Sequence, residues 1–250
     1  MKVSLITATF NSNQYLQKCI ESVNCQSYSD IQHVFIDGGS SDSTLDTIYK
    51  TSTRNPMVIS EPDHGLYDAI NKGISQATGD IIGLIHSDDF LASPKIIFEI
   101  VNVFQRNDCD GVYGDLQYVR ANNPDRVVRF WKSQDFQKDF LSQGWMPPHP
   151  TLFLKENIFA DYGNYNLNLT IAADYDFILR IFSKENLKFC YVPEIITVMR
   201  LGGASNRSLS NIIRKSREDF YALKQNQIAR PIKALLQKNL SKLSQFYSKK

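Results

Sequence analysis

The sequence predicts an α/β fold, a mostly parallel sheet flanked by helices and followed by a C-terminal helical tail. Three observations predict it. In the first half, apolar runs of three to five residues alternate with segments whose apolar residues recur at helical spacing, the mark of strand–helix–strand units. Polar segments follow those runs, where a parallel sheet gathers them at one edge. Beyond residue 208, apolar residues recur every three or four positions among lysines and arginines.

Residues 3–7 (VSLIT) read as a buried strand, and Tyr15, Leu16, Cys19, Ile20 and Val23 as one face of a helix. Strands at 33–36, 57–59 and 81–85 alternate with helices at 43–49, 66–77 and 95–104, the last opened by Pro94. After Gly111 the pattern changes. Residues 112–118 and 126–131 read as strands joined by a turn at Asn122, Asn123, Pro124 and Asp125. A loop with Pro147, Pro148 and Pro150 follows, then an apolar helix face at 177–182 and a strand at 195–199. In the tail, Pro231 divides the apolar stripe into two helices.

The chain has 250 residues, 42% hydrophobic and 22% charged, which is ordinary globular composition and enough for one large domain. Its four cysteines form no C-x-x-C pair, so reduced thiols are expected rather than a disulfide framework. Strand-like residues begin directly after Met1, leaving no room for a signal peptide, and no apolar run reaches the roughly 18 residues that span a bilayer. A cytoplasmic protein is expected. The net charge of +2 hides an asymmetry: residues 211–250 carry ten basic and two acidic groups, the other 210 residues 18 basic and 24 acidic. The acidic body has no basic patch interleaved with aromatics, so nucleic acid is not an expected partner.

Four segments carry candidate chemistry. In Ile85-His86-Ser87-Asp88-Asp89, adjacent carboxylates end an apolar strand; they suit Mg²⁺ or Mn²⁺ shared with phosphates, or the cap of the following helix. In the run from Asp37 to Thr44, an acid and two glycines either meet a nucleoside or make an ordinary strand–turn–helix connection. Asp174-Tyr175-Asp176 offers a general base on a hydroxyl, or merely acids at a helix start. Arg200-Leu201-Gly202-Gly203-Ala204-Ser205 reads as a loop closing on phosphates or as a simple turn.

Taken together the segments resemble family 2 glycosyltransferases of the GT-A (Rossmann-like) fold. Residues 3–11 are similar to that family's opening strand and T-x-N loop, and residues 37–42 to its D-x-G-S-x-D segment. Glu61-Pro62-Asp63-x-Gly65-x-Tyr67-Asp68-Ala69-x-Asn71-Lys72-Gly73 resembles a signature of one bacterial branch, and Gly79-Asp80 and Ser87-Asp88-Asp89 follow in order. The resemblance covers residues 1 to about 205. It implies a nucleotide-sugar-binding half at 1–115, an acceptor-side half at 116–207 and an amphipathic basic helical tail at 208–250. It places Thr7, Thr9, Asn11, Asp37, Gly39, Asp63, Asn71, Lys72, Asp88, Arg200 and Ser205 at the donor, and Asp88 and Asp89 at Mn²⁺ or Mg²⁺. Asp174 is the implied catalytic base, with Ala173 in place of the family's usual Glu. His149 and Asp176 are the implied acceptor contacts. His86 stands at the first acidic place of the D-x-D motif, there to ligate Mn²⁺ or to hydrogen-bond nearby.

The implied reaction is metal-dependent and inverting. One sugar passes from a nucleotide-diphosphate sugar, a UDP-sugar in first place, to a hydroxyl of a glycan or lipid-linked acceptor in cell-surface polysaccharide synthesis. Processive members carry Q-x-x-R-W and membrane spans, and neither occurs in this sequence. A sugar-1-phosphate nucleotidyltransferase is an alternative, but it calls for a Gly-rich loop with arginine where Ala8-Thr9-Phe10-Asn11 stands. A non-catalytic nucleotide- or glycan-binding module is another; it need not keep both the Asp88-Asp89 pair and Asp174. The tail helices either cover the body, pair in a homodimer, or dock on an anionic membrane surface at the inner face of the cell membrane.

Overall fold

The computed structural model describes residues 1–201 and 209–244. Among them nine strands form one sheet. Strands β1 (Val3–Thr9), β2 (Ile31–Asp37), β3 (Met57–Ser60) and β4 (Ile81–Leu84) run parallel in the order β3-β2-β1-β4. Helices α1 (Asn13–Asn24), α2 (Thr44–Thr51) and α3 (Leu66–Gln76) make the crossovers. The short β5 (Phe90–Leu91) and helix α4 (Ile96–Asn107) lead to β6 (Gly111–Arg120) and β7 (Asn123–Trp131). Strand β8 (Phe153–Lys155) lies antiparallel between β4 and β6; helices α5 (Asn157–Tyr162) and α6 (Ala173–Phe182) follow, and β9 (Phe189–Arg200) pairs parallel with β6.

Alternation along each strand sends neighbouring residues to opposite faces. In β1, Leu5 packs with Leu16, Ile20, Ile97 and Ile100 of α1 and α4, whereas Ile6 packs with Ile70 and Ile74 of α3 in the core that also holds Phe177 and Leu223. Both faces are covered, and for that reason the first strands read as unbroken apolar runs.

Several boundaries differ from the sequence reading, two of them at prolines. The hairpin turns at Ala121-Asn122, so Asn123 and Pro124 belong to β7, which pairs with β6 alone; a proline is tolerated on such an edge strand because no ladder bond needs its missing N–H. Strand β9 begins well before residue 195 and passes through Pro193, opposite an irregularity between Tyr113 and Asp115 of β6 that absorbs the lost donor. The brief β5, β8 and α5 carry too few residues to show a period.

The tail forms α7 (Leu209–Gln225) and α8 (Pro231–Ser244), with Pro231 as first residue of α8, where its missing N–H has no intrahelical partner to lose. Ala222, Leu223 and Ala234 are buried against the body. Gly144 lets α8 approach: a Cβ there would lie 2.1 Å from the Ala234 carbonyl oxygen. Among the described residues no helix is long and apolar enough to cross a membrane.

Candidate active site

The carboxyl ends of β1 to β4 are stitched together by side chains. Thr9 Oγ1 donates to Asp37 Oδ1 at 3.0 Å across the β1–β2 pair. Asp37 also accepts from the Ser40 amide (2.9 Å), the Gly39 amide (3.2 Å), Ser60 Oγ (2.7 Å) and Ser40 Oγ. Burial pushes its carboxyl up, but the bonds from Ser40, Ser60 and Thr9 outweigh burial and hold it below the usual range. Five protein donors therefore make Asp37 the organiser of its loop, in which Gly39 sits at φ +82°. Asn11, at φ 48°, accepts from the Ser41 amide at 2.9 Å and joins the first two loops. Asp63 closes over Gly38, where a Cβ would meet Asp63 Oδ2 at 2.5 Å. Ser12 Oγ lies 3.1 Å from Ser87 Oγ, which ties in the fourth loop.

Several residues assigned to the donor have other partners. Thr7 is fully buried and bonded to His33 Nε2 at 3.0 Å, because it faces the layer of α1 rather than the strand end. Asn71 pairs both polar atoms with the backbone of Tyr165, at 2.9 and 3.0 Å. Lys72 braces the preceding loop through Pro62 O (3.0 Å) and Glu61 (2.8 Å). Arg200 turns inward, its guanidinium 4.9 Å from the Tyr15 ring and 5.1 Å from the Phe90 ring, and donates to the Asp88 carbonyl. Ser205 lies outside the described residues.

Residues 86–89 form a turn closed by the Asp89 amide on the His86 carbonyl at 3.0 Å. They cap no helix, since α4 starts at Ile96 with Lys95 at its N-cap. The two acids diverge. Asp89 is fully buried, accepts from the Arg200 amide at 3.2 Å and leaves Oδ2 without a partner among the described residues. Burial, with Asp88 beside it, pushes its carboxyl well above the usual range. Asp88 is half-buried, and among the described residues no donor is bonded to its carboxylate. No group of three or more His, Cys, Asp or Glu among the described residues is placed to hold a metal. The arrangement fits a hard ion that takes one carboxylate, from Asp88, and completes its shell with ligand phosphates and water. Burial lowers the His86 imidazole's pKa, and the opposing pull of the Asp88 and Asp174 charges does not offset it.

Asp174 lies in the first turn of α6, beside a cavity of about 350 Å³ that is also lined by His86, His149, Tyr67, Tyr118, Trp131 and Trp145. Its Oδ1 takes the Tyr175 amide at 2.8 Å and lies 3.2 Å from the Tyr67 hydroxyl, which is also 2.9 Å from Ile171 O. Among the described residues Oδ2 has no donor. His149 joins the cavity wall, bonded to Tyr165 at 2.8 Å; burial drives its pKa down to about 4. Asp176 does not line this cavity. Two residues on along a helix is a rotation of about 200°, which carries it to Arg180 (2.9 Å) and Asn226 (2.9 Å) in another cleft.

Tyr67, Tyr118, Trp131 and Trp145, together with Lys215 and Lys238 of the tail, were not marked as site residues by the sequence. Tyr67 lies inside a quoted motif, a signal that could have found it. The others come from β6, β7, the loop after a 3₁₀ turn and the tail, and no local pattern joins those elements.

The sequence profile described as "Glycosyl transferase family 2" matches residues 4–163. An uncharacterized glycosyltransferase of Mycobacterium tuberculosis is 33% identical over 183 residues, 71% of this chain and 68% of its own length. A "PGL/p-HBAD biosynthesis glycosyltransferase" of Mycobacterium bovis is 30% identical over 208 residues, 81% and 78% of the two chains. The crystal structure of S. aureus TarS 1–349 in complex with UDP-GlcNAc superposes with a TM-score of 0.69 at 16% identity, covering 90% of this chain and 65% of that one. A mannosyltransferase from Pyrobaculum calidifontis in complex with GDP-Man and Mn²⁺ gives a TM-score of 0.65 at 15% identity, covering 95% and 68%. These structures share the GT-A architecture, with its curled mixed sheet flanked by helices.

Proposed function

The chain belongs to glycosyl transferase family 2, and from that premise we propose that it moves one sugar, with inversion, from a nucleotide-diphosphate sugar to an acceptor hydroxyl. A UDP-sugar is the donor we favour, and a glycan or lipid-linked molecule at the inner face of the cell membrane the acceptor, in cell-surface polysaccharide synthesis. The observation that carries this reading is the pair of acids whose charges both act on His86: among the described residues Asp88 has no donor on its carboxylate, and Asp174 has none on one oxygen beside the cavity. Membership of the family sets aside the nucleotidyltransferase and the non-catalytic module.

In this reading the donor lies over the loops of β1 to β4, with Asp63 and the Asp37 loop shaping the nucleoside end. Asp88 would hold Mn²⁺ or Mg²⁺, which supplies positive charge to the departing diphosphate. The acceptor occupies the cavity and presents a hydroxyl to Asp174 Oδ2. As that hydroxyl oxygen bonds to the anomeric carbon, its proton passes to Asp174 and the bond from the anomeric carbon to the diphosphate oxygen breaks. Tyr67 and the Tyr175 amide hold Oδ1, so the other oxygen keeps one direction. The aromatic walls and neutral His149 keep water from competing.

The test is a panel of nucleotide-diphosphate sugars incubated with Mn²⁺ or Mg²⁺ and candidate acceptors, scored by release of nucleoside diphosphate and by the anomeric configuration of the product. One donor should turn over only with metal present and yield the inverted anomer. Retention of configuration, or full turnover in a chelator, overturns the corresponding part of the mechanism.

A further inference from the structure

Helix α8 is built inside out. It buries Ala234 and Lys238, the latter only 4% exposed, while Ile232, Leu236 and Leu240 are 66%, 60% and 64% exposed. Spaced four residues apart, these three form one stripe, about half a turn from the buried pair. A helix that served only to cover the body would turn that stripe inward and leave its lysine in water. Lys238 instead reaches Asp219 at 2.8 Å and lies over the Tyr175 ring. Helix α7 shows the same division, with Asp219, Ala222 and Leu223 inside and Ile212, Ile213 and Tyr221 outside.

The charges sort in the same way. Residues 209–241 contain two acids, Glu218 and Asp219, and both are engaged inward. Glu218 accepts from Thr170 Oγ1 and the Ile171 and Ala172 amides at 2.8 to 2.9 Å; Asp219 takes Lys215 and Lys238. The exposed charged residues of this stretch are Arg214, Arg217, Lys224, Arg230 and Lys233, every one a cation.

We propose that the outward faces of α7 and α8 dock on an anionic lipid bilayer. The isoleucines and leucines enter the headgroup–acyl boundary, and the arginines and lysines meet lipid phosphates. Charge argues against a second copy as the occupant, because a two-fold pairing of this face sets its own cations against themselves, whereas anionic lipid complements both components. The inference rests on the proposed function only in giving a lipid-linked acceptor a place to be met. Vesicle binding is measured without donor or acceptor, so the two readings fail separately.

The test is sedimentation of the full-length protein with phosphatidylcholine vesicles, with and without phosphatidylglycerol. Binding is expected only to the anionic vesicles, weakening as salt is raised. The double variant Leu236→Glu/Leu240→Glu changes exposed positions only. It should lose about tenfold or more in vesicle affinity while keeping the wild-type melting temperature and nucleoside-diphosphate release on a water-soluble acceptor. Arg230→Gln/Lys233→Gln tests the charge component without touching the stripe, and should weaken anionic binding. Failure of the wild-type chain to sediment, or unchanged binding by both variants, overturns the proposal. A concentration-dependent dimer in light scattering that the leucine variant abolishes, without vesicle binding, assigns the face to a second copy instead.

Discussion

Asp88 and Asp89 are chemical twins in the sequence with opposite surroundings in the fold. Asp89 accepts the Arg200 amide from a site with no solvent exposure, whereas Asp88 is half-buried with its carboxylate unbonded among the described residues. Asparagine keeps the oxygen that Asp89 uses, so Asp89→Asn should hold turnover within several-fold of wild type and change stability by about 1 kcal/mol or less, read by urea denaturation. Asp88→Asn removes the charge proposed to hold the cation and should cut metal-dependent turnover by on the order of 10² or more. Similar losses in both variants would return Asp89 to the metal site. Asp174→Asn should bind donor as wild type but lose roughly 10² to 10⁴ in turnover, as expected for a general base; calorimetry with nucleoside diphosphate beside a steady-state assay separates the two effects.

Helix α6 carries Asp174, the proposed base, but supplies no cap of its own, since Ala172 stands at its N-cap. The carboxylate of Glu218, from α7, accepts the Ile171 and Ala172 amides instead, three and two residues before Asp174. Burial pushes the Glu218 carboxyl up, but the bonds from Ile171, Ala172 and Thr170 prevail and hold it below the usual range. Its contribution to stability is thus present above the unfolded carboxylate range and lost as pH falls through the folded value. Glu218→Ala should cost about 1–2 kcal/mol, as loss of an N-cap does, and should lower kcat while donor affinity stays constant. Glu218→Gln should recover part of both. Wild-type kcat in the alanine variant would show that α7 does not position the base.

Two buried imidazoles make the whole molecule sensitive to acid. Burial lowers His33 to about 3, with Arg54 adding to the effect, and His149 to about 4. Below the free imidazole value of about 6.5, the unfolded chain binds protons that the folded chain refuses, so stability falls as pH drops from that value toward 4, by up to about 1.4 kcal/mol per unit for each group. Melting temperature measured across this window should fall steadily, and His33→Gln, which can still bond Thr7, should flatten the slope. The tail belongs to the same cooperative unit. Deleting residues 226–250 removes Lys238 from buried Asp219 and uncovers the Gly144 contact, and should cost roughly 3–5 kcal/mol, the usual penalty for breaking a buried ion pair.

The sequence by itself determined the α/β class, the parallel first half, the two tail helices and the four loop segments at one sheet edge. Each of these rests on a local period of two or 3.6, or on turn chemistry, within about a dozen residues. It also marked Asp88 and Asp174, because adjacent motifs carry them. Only the tertiary structure decided which member of each acid pair is available. Asp89 and Asp176 are taken up by Arg200, Arg180 and Asn226, partners that burial and helix rotation select and that lie as many as 111 residues away. The aromatic cavity escaped the sequence for the same reason, and the sequence left open whether the stripe of α8 covers the body or faces outward. A hydrophobic period shows that a helix has two faces, and only long-range packing chooses which one turns inward.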